Sequence, residues 1–292
     1  MGIKLTIQRY EIFNKVVQLQ NITNAGNELN LTQSAVSHAI KSLEEELGLH
    51  LLIRNRSGIR LTSEGEIIHK HTLAVMHSHH LLLQEASALN ELENGIIRIG
   101  TFASVTTHWL PMILKEFKRK YPQITVEIYD NDYENLEAAV QSGELDCCFT
   151  IASSKKCIDF HPLHKDKLFC IVSNESELRM QQKMRLEQLE MYPLIKPKKG
   201  WDHETATFFS EHNINPIVKY EVSDDQSIIA LVQANLGINI RPELVLKGAP
   251  DGITALEFEK EACRIIGLGM TKQTSHATKN FAAIVKKLFK TI

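Results

Sequence analysis

Residues 31–43, with the sequence LTQSAVSHAIKSL, carry the pattern that decides the fold of this chain. Thr32 is typical of a residue that caps a helix, because its hydroxyl can accept a hydrogen bond from a backbone N–H one turn later. One face of the predicted helix is apolar, with Val36, Ala39, Ile40, Leu43 and Leu47. The opposite face is polar and holds no acid, with Gln33, Ser34, Ser37, His38 and Lys41. This face suits base edges and phosphates in a DNA major groove, and it equally suits an ordinary solvated helix.

The residues before this helix favour DNA binding. An apolar stripe between Ile7 and Leu19 predicts a first helix, and Thr23 is placed to cap a short second helix over Asn24–Leu29. A short helix, a tight turn and a helix with a polar face together form a helix-turn-helix unit.

The residues after it predict a second element that faces DNA. Turn residues at 55–58 separate two short extended segments, and three arginines surround the turn: Arg54, Arg56 and Arg60. This pattern indicates a hairpin, or wing, whose guanidinium groups contact phosphates or a minor groove. The alternative is a surface loop that happens to be basic.

Residues 8–65 resemble the winged helix-turn-helix of the LysR-type transcriptional regulators. The agreement is specific because many positions match at fixed spacing: Tyr10, Phe13, Thr23, Ala25, Leu29, Leu31–Ser37, Ile40, Leu43, Glu44, Leu47, Gly48, Leu51, Arg54, Leu61, Thr62 and Gly65. Two positions depart from the family. Gly26 stands where an alanine is usual, which should loosen the second helix, and Ile53 stands where an aromatic or another bulky residue is usual.

The resemblance implies that residues 1–62 form a winged helix-turn-helix domain of a transcriptional regulator. It also implies binding to double-stranded DNA at an interrupted dyad operator as a homodimer or homotetramer, with RNA polymerase as a further candidate partner. The expected DNA-binding residues are Thr32, Gln33, Ser34, Ser37, His38, Lys41, Arg54, Arg56 and Arg60.

Net charge does not by itself indicate a nucleic-acid partner. The 292 residues include 33 Lys and Arg against 35 Asp and Glu, so contacts with DNA must rest on local placement. We therefore expect Glu44, Glu45 and Glu46 to point away from DNA. No apolar run approaches the roughly 20 residues of a membrane span, and the N-terminus has no signal-peptide core, so the expected compartment is the cytoplasm.

A long helix is expected next. Ser63 and Glu66 have the spacing of a capping box, and the helix can continue to about Leu92 without a proline. An apolar heptad runs along it: Ile68, Val75, Leu82 and Leu89. A lone helix has nothing to bury this stripe against, so it should pair with a second copy of itself. The resemblance implies that residues 63–94 are the linker helix through which the family dimerises.

Histidines crowd the same helix, at His69, His71, His77, His79 and His80. His77 and His80 lie one turn apart and could share a metal ion. No acid or cysteine close in sequence completes a ligand set, so we predict no metal site.

From Gly95 onward, strands and helices alternate, which predicts an α/β region with a mostly parallel sheet. The pattern occurs in two successive sets, so two lobes are expected. Short motifs resemble the effector-binding domain of the LysR-type family in order: Ile97-x-Ile99-Gly100, Leu110-Pro111, Phe117-x-x-x-Tyr121-Pro122, Gly143–Asp146 and Gly237-Ile238. The resemblance implies a two-lobed α/β fold like that of type 2 periplasmic binding proteins over residues 95–292. Lobe I would cover about 95–163 and 266–292, and lobe II about 164–265.

The strand ends of this region indicate where a small-molecule effector would bind. Parallel sheets bind ligands at the C-terminal ends of their strands, where a following helix offers free N–H groups. The side chains expected at these ends are Thr101, Ala103, Ser104, Thr150, Lys198, Trp201 and Arg241. Hydroxyls and cations together favour a small anion, although each residue could equally be a helix cap or a solvated side chain.

The cysteines offer a different hypothesis. Cys147, Cys148 and Cys157 could form a redox sensor, or supply a thiol nucleophile to an enzyme. Cys147 and Cys148 lie in a buried-strand pattern without a local base, so inert cysteines are the simpler interpretation. Motifs for nucleotide cofactors and catalytic metals are absent, and we predict no catalytic residue and no cofactor.

Overall fold

The computed structural model describes residues 6–55, 58–89, 95–152, 158–198 and 203–289. The N-terminal region contains three helices, a two-stranded hairpin and a long fourth helix. These elements are α1 Ile7–Leu19, α2 Ile22–Leu29, α3 Gln33–Leu47, β1 Leu52–Asn55, β2 Gly58–Leu61 and α4 Ser63–Leu89. The predicted order of helices and wing is therefore confirmed.

Local capping explains where these helices begin. Thr32 caps α3 as predicted, because its hydroxyl accepts from the Ala35 N–H at 3.2 Å, and Gly48 ends the helix in a left-handed conformation with φ of 67°. The predicted Thr23 cap is wrong. Asn21 caps α2 instead, and its side chain accepts from the backbone N–H groups of Thr23 and Asn24 at 2.9 and 3.0 Å.

Gly26 allows the turn before α3 to pack tightly against α2. The Leu31 N–H donates to the Gly26 carbonyl at 2.8 Å, and a Cβ at position 26 would lie 2.8 Å from the Leu31 carbonyl oxygen. The absence of a side chain thus serves a close backbone approach. The expectation that Gly26 loosens α2 stays a prediction.

The long helix α4 begins on a different cap from the one predicted. The Thr62 hydroxyl accepts from the Gly65 N–H at 2.8 Å, whereas Ser63 is already helical and bonds to Glu64, so the predicted Ser63–Glu66 capping box is wrong. Within the predicted stripe, Ile68 packs against the core of the N-terminal region. Val75 and Leu82 remain exposed, by 40% and 63%. The Leu89 side chain and the predicted helix end near Leu92 lie outside the described residues.

The second region alternates strands and helices. Its first part contains β3 Gly95–Thr101, α5 Ala103–His108, α6 Leu110–Lys120, β4 Ile124–Asp130, α7 Tyr133–Ser142, β5 Cys147–Ile151 and β6 Asp159–Ser173. Its second part contains β7 Lys183–Met184, β8 Leu194–Pro197, α8 His203–His212, β9 Val218–Val222, α9 Asp225–Gln233, β10 Asn239–Pro242, α10 Glu243–Leu246, β11 Ile253–Phe258, β12 Cys263–Met270 and α11 His276–Leu288. Short 3₁₀ helices cover Glu177–Met180 and Leu186–Glu190.

Two long strands, β6 and β12, join the halves of this region. The first half of β6 pairs with β12, and its second half pairs with β10 and β11. All of these pairings are antiparallel, whereas β3 pairs in parallel with β4 and β5. The sheet is therefore mixed, and the prediction of a mostly parallel sheet is wrong. The chain passes from the first lobe to the second along β6 and returns along β12, so these two strands are antiparallel.

Two main cores lie on either side of these strands. The first is built around Ile97, Phe117, Phe149 and Phe281, and the second around Leu168, Met184, Phe208 and Phe258. We call the parts of the chain around these cores the first and second lobes. The lobe boundaries given above stay a prediction.

The helix α4 contacts the first lobe as well as the N-terminal region. His77 lies so close to Gly143, the residue that ends α7, that a side chain at 143 would overlap it. One turn further on, Arg98 Nη2 donates to His80 Nε2 at 2.9 Å. These histidines therefore have packing roles. No helix in the described ranges is long and apolar enough to cross a membrane.

Candidate nucleic-acid surface and effector cleft

The polar face of α3 is exposed and organised by short hydrogen bonds. Gln33 Nε2 donates to the Ser37 hydroxyl at 3.3 Å, and the hydroxyls of Thr32 and Ser34 lie 3.0 Å apart. His38 and Lys41 continue the same exposed face towards the wing. The helix thus presents amide, hydroxyl and imidazole groups side by side, the chemistry that can read base edges.

A depression of about 470 Å³ separates α3 from the wing. It is lined by Ser37, His38, Lys41, Glu44, His50, Leu52 and Arg54. His50 was not among the DNA-binding residues predicted from the sequence, because it lies in the connection between α3 and β1 rather than on the face of the helix. Arg60 is also exposed, on β2 of the wing, while Arg56 lies outside the described residues.

The acidic run after Lys41 is only partly directed away from this surface. Glu44 accepts from the backbone N–H groups of Leu51 and Leu52 at 2.7 and 3.2 Å, and Glu46 pairs with Arg9. Glu45, however, lies 3.6 Å from Lys41 in an exposed pair. The expectation that all three glutamates face elsewhere is therefore wrong for Glu45, and also for Glu44, which lines the depression between α3 and the wing. The pair is weak in solvent and can open when a phosphate approaches.

A cleft of about 930 Å³ lies between the two lobes. The first lobe contributes the start of α5 and the end of β4, at residues 102–104 and 130–133. The second lobe contributes the start of α9, at residues 223–226, together with Glu204 and Arg241. Arg264, on the connecting strand β12, lies in the wall of the cleft.

Arg264 is the centre of a buried network that joins both lobes. Its Nε donates to Asp166 Oδ2 at 2.8 Å, and its Nη1 donates to Glu204 Oε1 at 2.6 Å and to the Tyr133 hydroxyl at 2.8 Å. Its Nη2 donates to the Ser104 hydroxyl at 3.0 Å. Ser104 and Tyr133 belong to the first lobe and Glu204 to the second, so one guanidinium bridges the cleft.

Electrostatics keep this network ionised despite its burial. Burial raises the pKa of Glu204, but the charge of Arg264 and the hydroxyl of Tyr133 outweigh it, so the pKa of Glu204 is lowered overall. Burial and the negative charge of Glu204 hold the pKa of Tyr133 well above its usual value, although Arg264 opposes the shift. The tyrosine therefore stays protonated, and its hydroxyl donates to Glu204.

Arg241 is buried in the same cleft, and its charge has fewer polar partners than the charge of Arg264. Its side chain is 5% exposed, and its Nη2 lies 3.2 Å from Asp225 Oδ1. Neither Nε nor Nη2 has a hydrogen-bond partner in the part of the chain that the structure describes. Burial lowers the pKa of this guanidinium, partly offset by the negative charge of Asp225. A buried cation whose Nε has no hydrogen-bond partner among the described residues and whose ion pair is with Asp225 is suited to an incoming anion.

The predicted effector residues divide into two groups. Ala103, Ser104 and Arg241 line the cleft, although the Ser104 hydroxyl is already engaged by Arg264. Thr101 and Thr150 do not line it: both are fully buried, and they bond to Thr106 and Glu137. Lys198 is exposed and also does not line the cleft. Trp201 lies outside the described residues.

Sequence reasoning missed the Arg264 network. Arg264 lies in an otherwise apolar strand, CRIIGLGM, and a charge in such a strand is the signal that could have revealed it. Its partners Asp166, Tyr133 and Glu204 are 98, 131 and 60 residues away in sequence, so no local pattern links them.

The cysteines do not form a reactive centre among the described residues. Cys147 and Cys148 are fully buried in β5, and burial raises the pKa of both thiols, which keeps them protonated and unreactive. Cys157 lies outside the described residues. In the same described part of the chain, no three side chains of His, Cys, Asp or Glu come together as a metal site would require.

We predict that Arg264→Met destabilises the protein by about 3–5 kcal/mol at neutral pH, because it leaves Asp166 and Glu204 buried without their cation. The lowered pKa of Glu204 means that the ion pair contributes fully above the usual glutamate pKa of 4.5 and is lost as the pH falls through the lowered value. The difference in stability between wild type and variant should therefore shrink on acidification. Urea unfolding followed by circular dichroism at a series of pH values measures this.

Arg119→Met is the matched control, because Arg119 bonds Glu116 on the exposed surface of α6. It should leave the urea midpoint unchanged within error. Equal effects of the two substitutions would contradict a structural role for the Arg264 network.

Comparison with known proteins agrees with this architecture. The family described as "Bacterial regulatory helix-turn-helix protein, lysR family" matches residues 7–66, and the family described as "LysR substrate binding domain" matches residues 90–290. The uncharacterized HTH-type transcriptional regulator YvbU of Bacillus subtilis is 28% identical over 290 residues, which span 98% of this chain and 99% of YvbU.

Solved structures with the same fold include full-length regulators. A full-length OxyR variant from Pseudomonas aeruginosa has a TM-score of 0.73 at 19% identity, covering 99% of this chain and 97% of OxyR. Full-length CbnR complexed with its target DNA has a TM-score of 0.67 at 18% identity, covering 97% and 99%. The chain therefore belongs to the LysR family of DNA-binding transcriptional regulators, which are not enzymes, and combines a helix-turn-helix domain with an effector-binding domain.

Proposed function

We propose that this regulator binds DNA sequence-specifically through α3 and the wing, and that a small molecule carrying a negative charge binds in the cleft and modulates this activity. The observation that supports the effector most directly is Arg241, a buried cation in the wall of the cleft that is paired with Asp225 through Nη2 and whose Nε has no hydrogen-bond partner among the described residues. The inter-lobe position of the cleft supports a role in control, because a ligand there contacts both lobes at once.

The proposed DNA contacts divide by chemistry. Gln33, Ser34, Ser37 and His38 read base edges, because their amide, hydroxyl and imidazole groups lie on the exposed face of α3. The cations contact phosphates: Lys41 from the helix, and Arg54, Arg56 and Arg60 from the wing. Thr32 positions the helix through its cap and places the helix N-terminus towards a phosphate.

The proposed assembly is a homodimer, or a homotetramer built from dimers, on an interrupted dyad operator. Val75 and Leu82 support it, because they leave an apolar surface exposed along α4 that a second copy can cover. Ile68 contributes less than the sequence suggested, since it packs inside its own chain. Contact with RNA polymerase remains an expectation from the family.

We predict different effects from substitutions on the helix and on the wing. Gln33→Ala should reduce the preference for the operator over unrelated duplexes by about 1–3 kcal/mol, because an amide contact to a base is lost. Arg60→Ala should weaken binding to both kinds of duplex and lower the slope of log affinity against log salt by about 1. Fluorescence anisotropy at several salt concentrations measures both.

Lys118→Ala, on the exposed surface of α6, is the control and should change neither quantity. An equal loss on operator and unrelated DNA for Gln33→Ala would rule it out as a base-reading residue.

We predict that Leu82→Asp separates the dimer, because it places a charge in the apolar surface along α4. Light scattering on the purified chain should report a lower mass, and operator affinity should fall as the two half-sites are no longer bound together. Leu82→Met keeps the apolar surface and should remain dimeric. A full-size assembly of Leu82→Asp with unchanged operator affinity would show that this stripe does not mediate assembly.

We predict that Arg241→Met abolishes the response to the effector and leaves operator binding intact. A panel of metabolite carboxylates and phosphates can be screened by thermal shift, because a ligand that binds the native state raises the melting temperature. At least one anion should stabilise the wild type and Lys198→Met, whose substituted lysine lies outside the cleft, but not Arg241→Met. Stabilisation of all three proteins by the same anion would place its binding elsewhere.

A further inference from the structure

The helix α4 is attached to the first lobe by a contact between histidines and the lobe surface. His80, in the second half of α4, lies against Arg98 of β3, and Arg98 Nη2 is 2.9 Å from His80 Nε2. One turn earlier, His77 packs so tightly on Gly143, at the end of α7, that a side chain at 143 would overlap it. The two histidines therefore form the face through which α4 meets β3 and α7.

The hydrogen bond between Arg98 and His80 fixes the protonation state of the imidazole. A guanidinium has donors but no acceptor, so His80 Nε2 must accept the bond and must carry a lone pair. The ring also donates to the carbonyl of Met76, one turn earlier on α4, and Nδ1 is the nitrogen left for that bond. Both ring nitrogens are thus engaged in the neutral form. A proton on Nε2 would leave two donors, both charged, facing each other.

The charged groups that face His80 act in both directions. Asp146, directly before β5, favours a charged imidazole, and its Oδ2 accepts from the Arg98 backbone N–H at 2.7 Å. Arg98 and His79 oppose such a charge, and Glu127 Oε2 of β4 lies 3.4 Å from Arg98 Nε, which holds the guanidinium beside the ring. Burial, and after it the charge of Arg98, outweigh Asp146, so the pKa of His80 is lowered from its usual value.

The neighbouring contacts of α4 do not replace this bond. His77 Nε2 is buried and has no hydrogen-bond partner among the residues that the structure describes. Towards α11, His276 Nδ1 lies 3.2 Å from Glu85 Oε1. That pair is strengthened by acid, the opposite of the His80 contact, but it is exposed, and exposed ion pairs contribute little.

We propose that the contact between His80 and Arg98 is a pH-sensitive connection, in which a proton taken up from solvent by His80 Nε2 breaks the bond to Arg98 and releases α4 from the first lobe. The connection is fully made above the usual histidine pKa of 6.5 and is lost as the pH falls through the lowered value of His80. Because α4 leads to the DNA-binding domain, acidification becomes a second input to operator binding. This input does not depend on the nature of the effector in the cleft.

Hydrogen exchange of the full-length protein without DNA tests the connection. Exchange is followed by mass spectrometry at about pH 7.5 and about pH 5.5 and corrected for the intrinsic effect of pH on exchange. Peptides from α4 around His80, and from the end of α7 at Gly143, should exchange about fivefold faster or more at the lower pH, because the release uncovers both surfaces.

Variants at His80 assign the effect to one ring. His80→Gln cannot take up a proton, and its amide oxygen can still accept from Arg98, so α4 should keep its protection at both pH values. His80→Lys carries a charge at both pH values and should already exchange at the higher pH as the acidified wild type does. His71→Gln is the matched control, because His71 is an exposed histidine of the same helix, and it should behave as the wild type.

Operator affinity of the same four proteins shows whether the connection reaches DNA. Between the two pH values, the affinity of the wild type and of His71→Gln should change about fivefold or more relative to the change in His80→Gln. His80→Gln keeps His38 on α3, so the comparison removes any effect of pH on the DNA-facing surface itself.

Two results would contradict the proposal. The same pH dependence of exchange in the wild type and in His80→Gln would overturn the connection. Exchange that depends on His80 together with an operator affinity that does not would overturn its role as an input to DNA binding.

Discussion

The buried guanidinium of Arg264 is the interaction on which the arrangement of the effector-binding region depends. It lies on β12, one of the two strands that connect the lobes, and bonds to Ser104 and Tyr133 on one side and to Glu204 on the other. A buried charge tolerates little displacement, since each lost partner leaves an uncompensated ion in a poorly solvated place. The network therefore holds the lobes at one separation and gives the cleft a defined shape.

Arg264 and Arg241 differ in a way that suggests different roles. Both are about 95% buried at the same cleft, but Arg264 has a hydrogen-bond partner for each nitrogen, while Arg241 is paired with Asp225 through Nη2 and its Nε has no hydrogen-bond partner among the described residues. The first arginine fits a structural role, and the second fits a ligand. The first lobe also contacts α4, through Gly143 and Arg98. A movement of the first lobe relative to the second can therefore act directly on the helix that leads to the DNA-binding domain.

Elements specified by local chemistry could be predicted from the sequence. The Thr32 cap, the Gly48 terminus and the apolar face of α3 all follow from neighbouring residues. Arg241 was expected at the cleft because parallel strands present their ends to ligands; it does line the cleft, but its strand β10 pairs antiparallel with β6. Contacts between distant residues could not be predicted: nothing local pairs Arg264 with Tyr133, turns Thr150 towards Glu137, or pairs β6 antiparallel with β12. The close approach of the Leu31 carbonyl to Gly26 could not be predicted for the same reason.

The central claim is that Arg264 couples the two lobes through their side chains, and a double-mutant cycle tests it most directly. Ser104→Ala removes a hydroxyl of the first lobe, Glu204→Gln removes a charge of the second, and the pair is combined in one protein, because each of these side chains bonds to Arg264. Urea unfolding gives the free energy of unfolding of all four proteins. We expect the two changes to be non-additive by more than about 0.5 kcal/mol, as for residues of one network. Additive effects within error would show that the lobes are not coupled there.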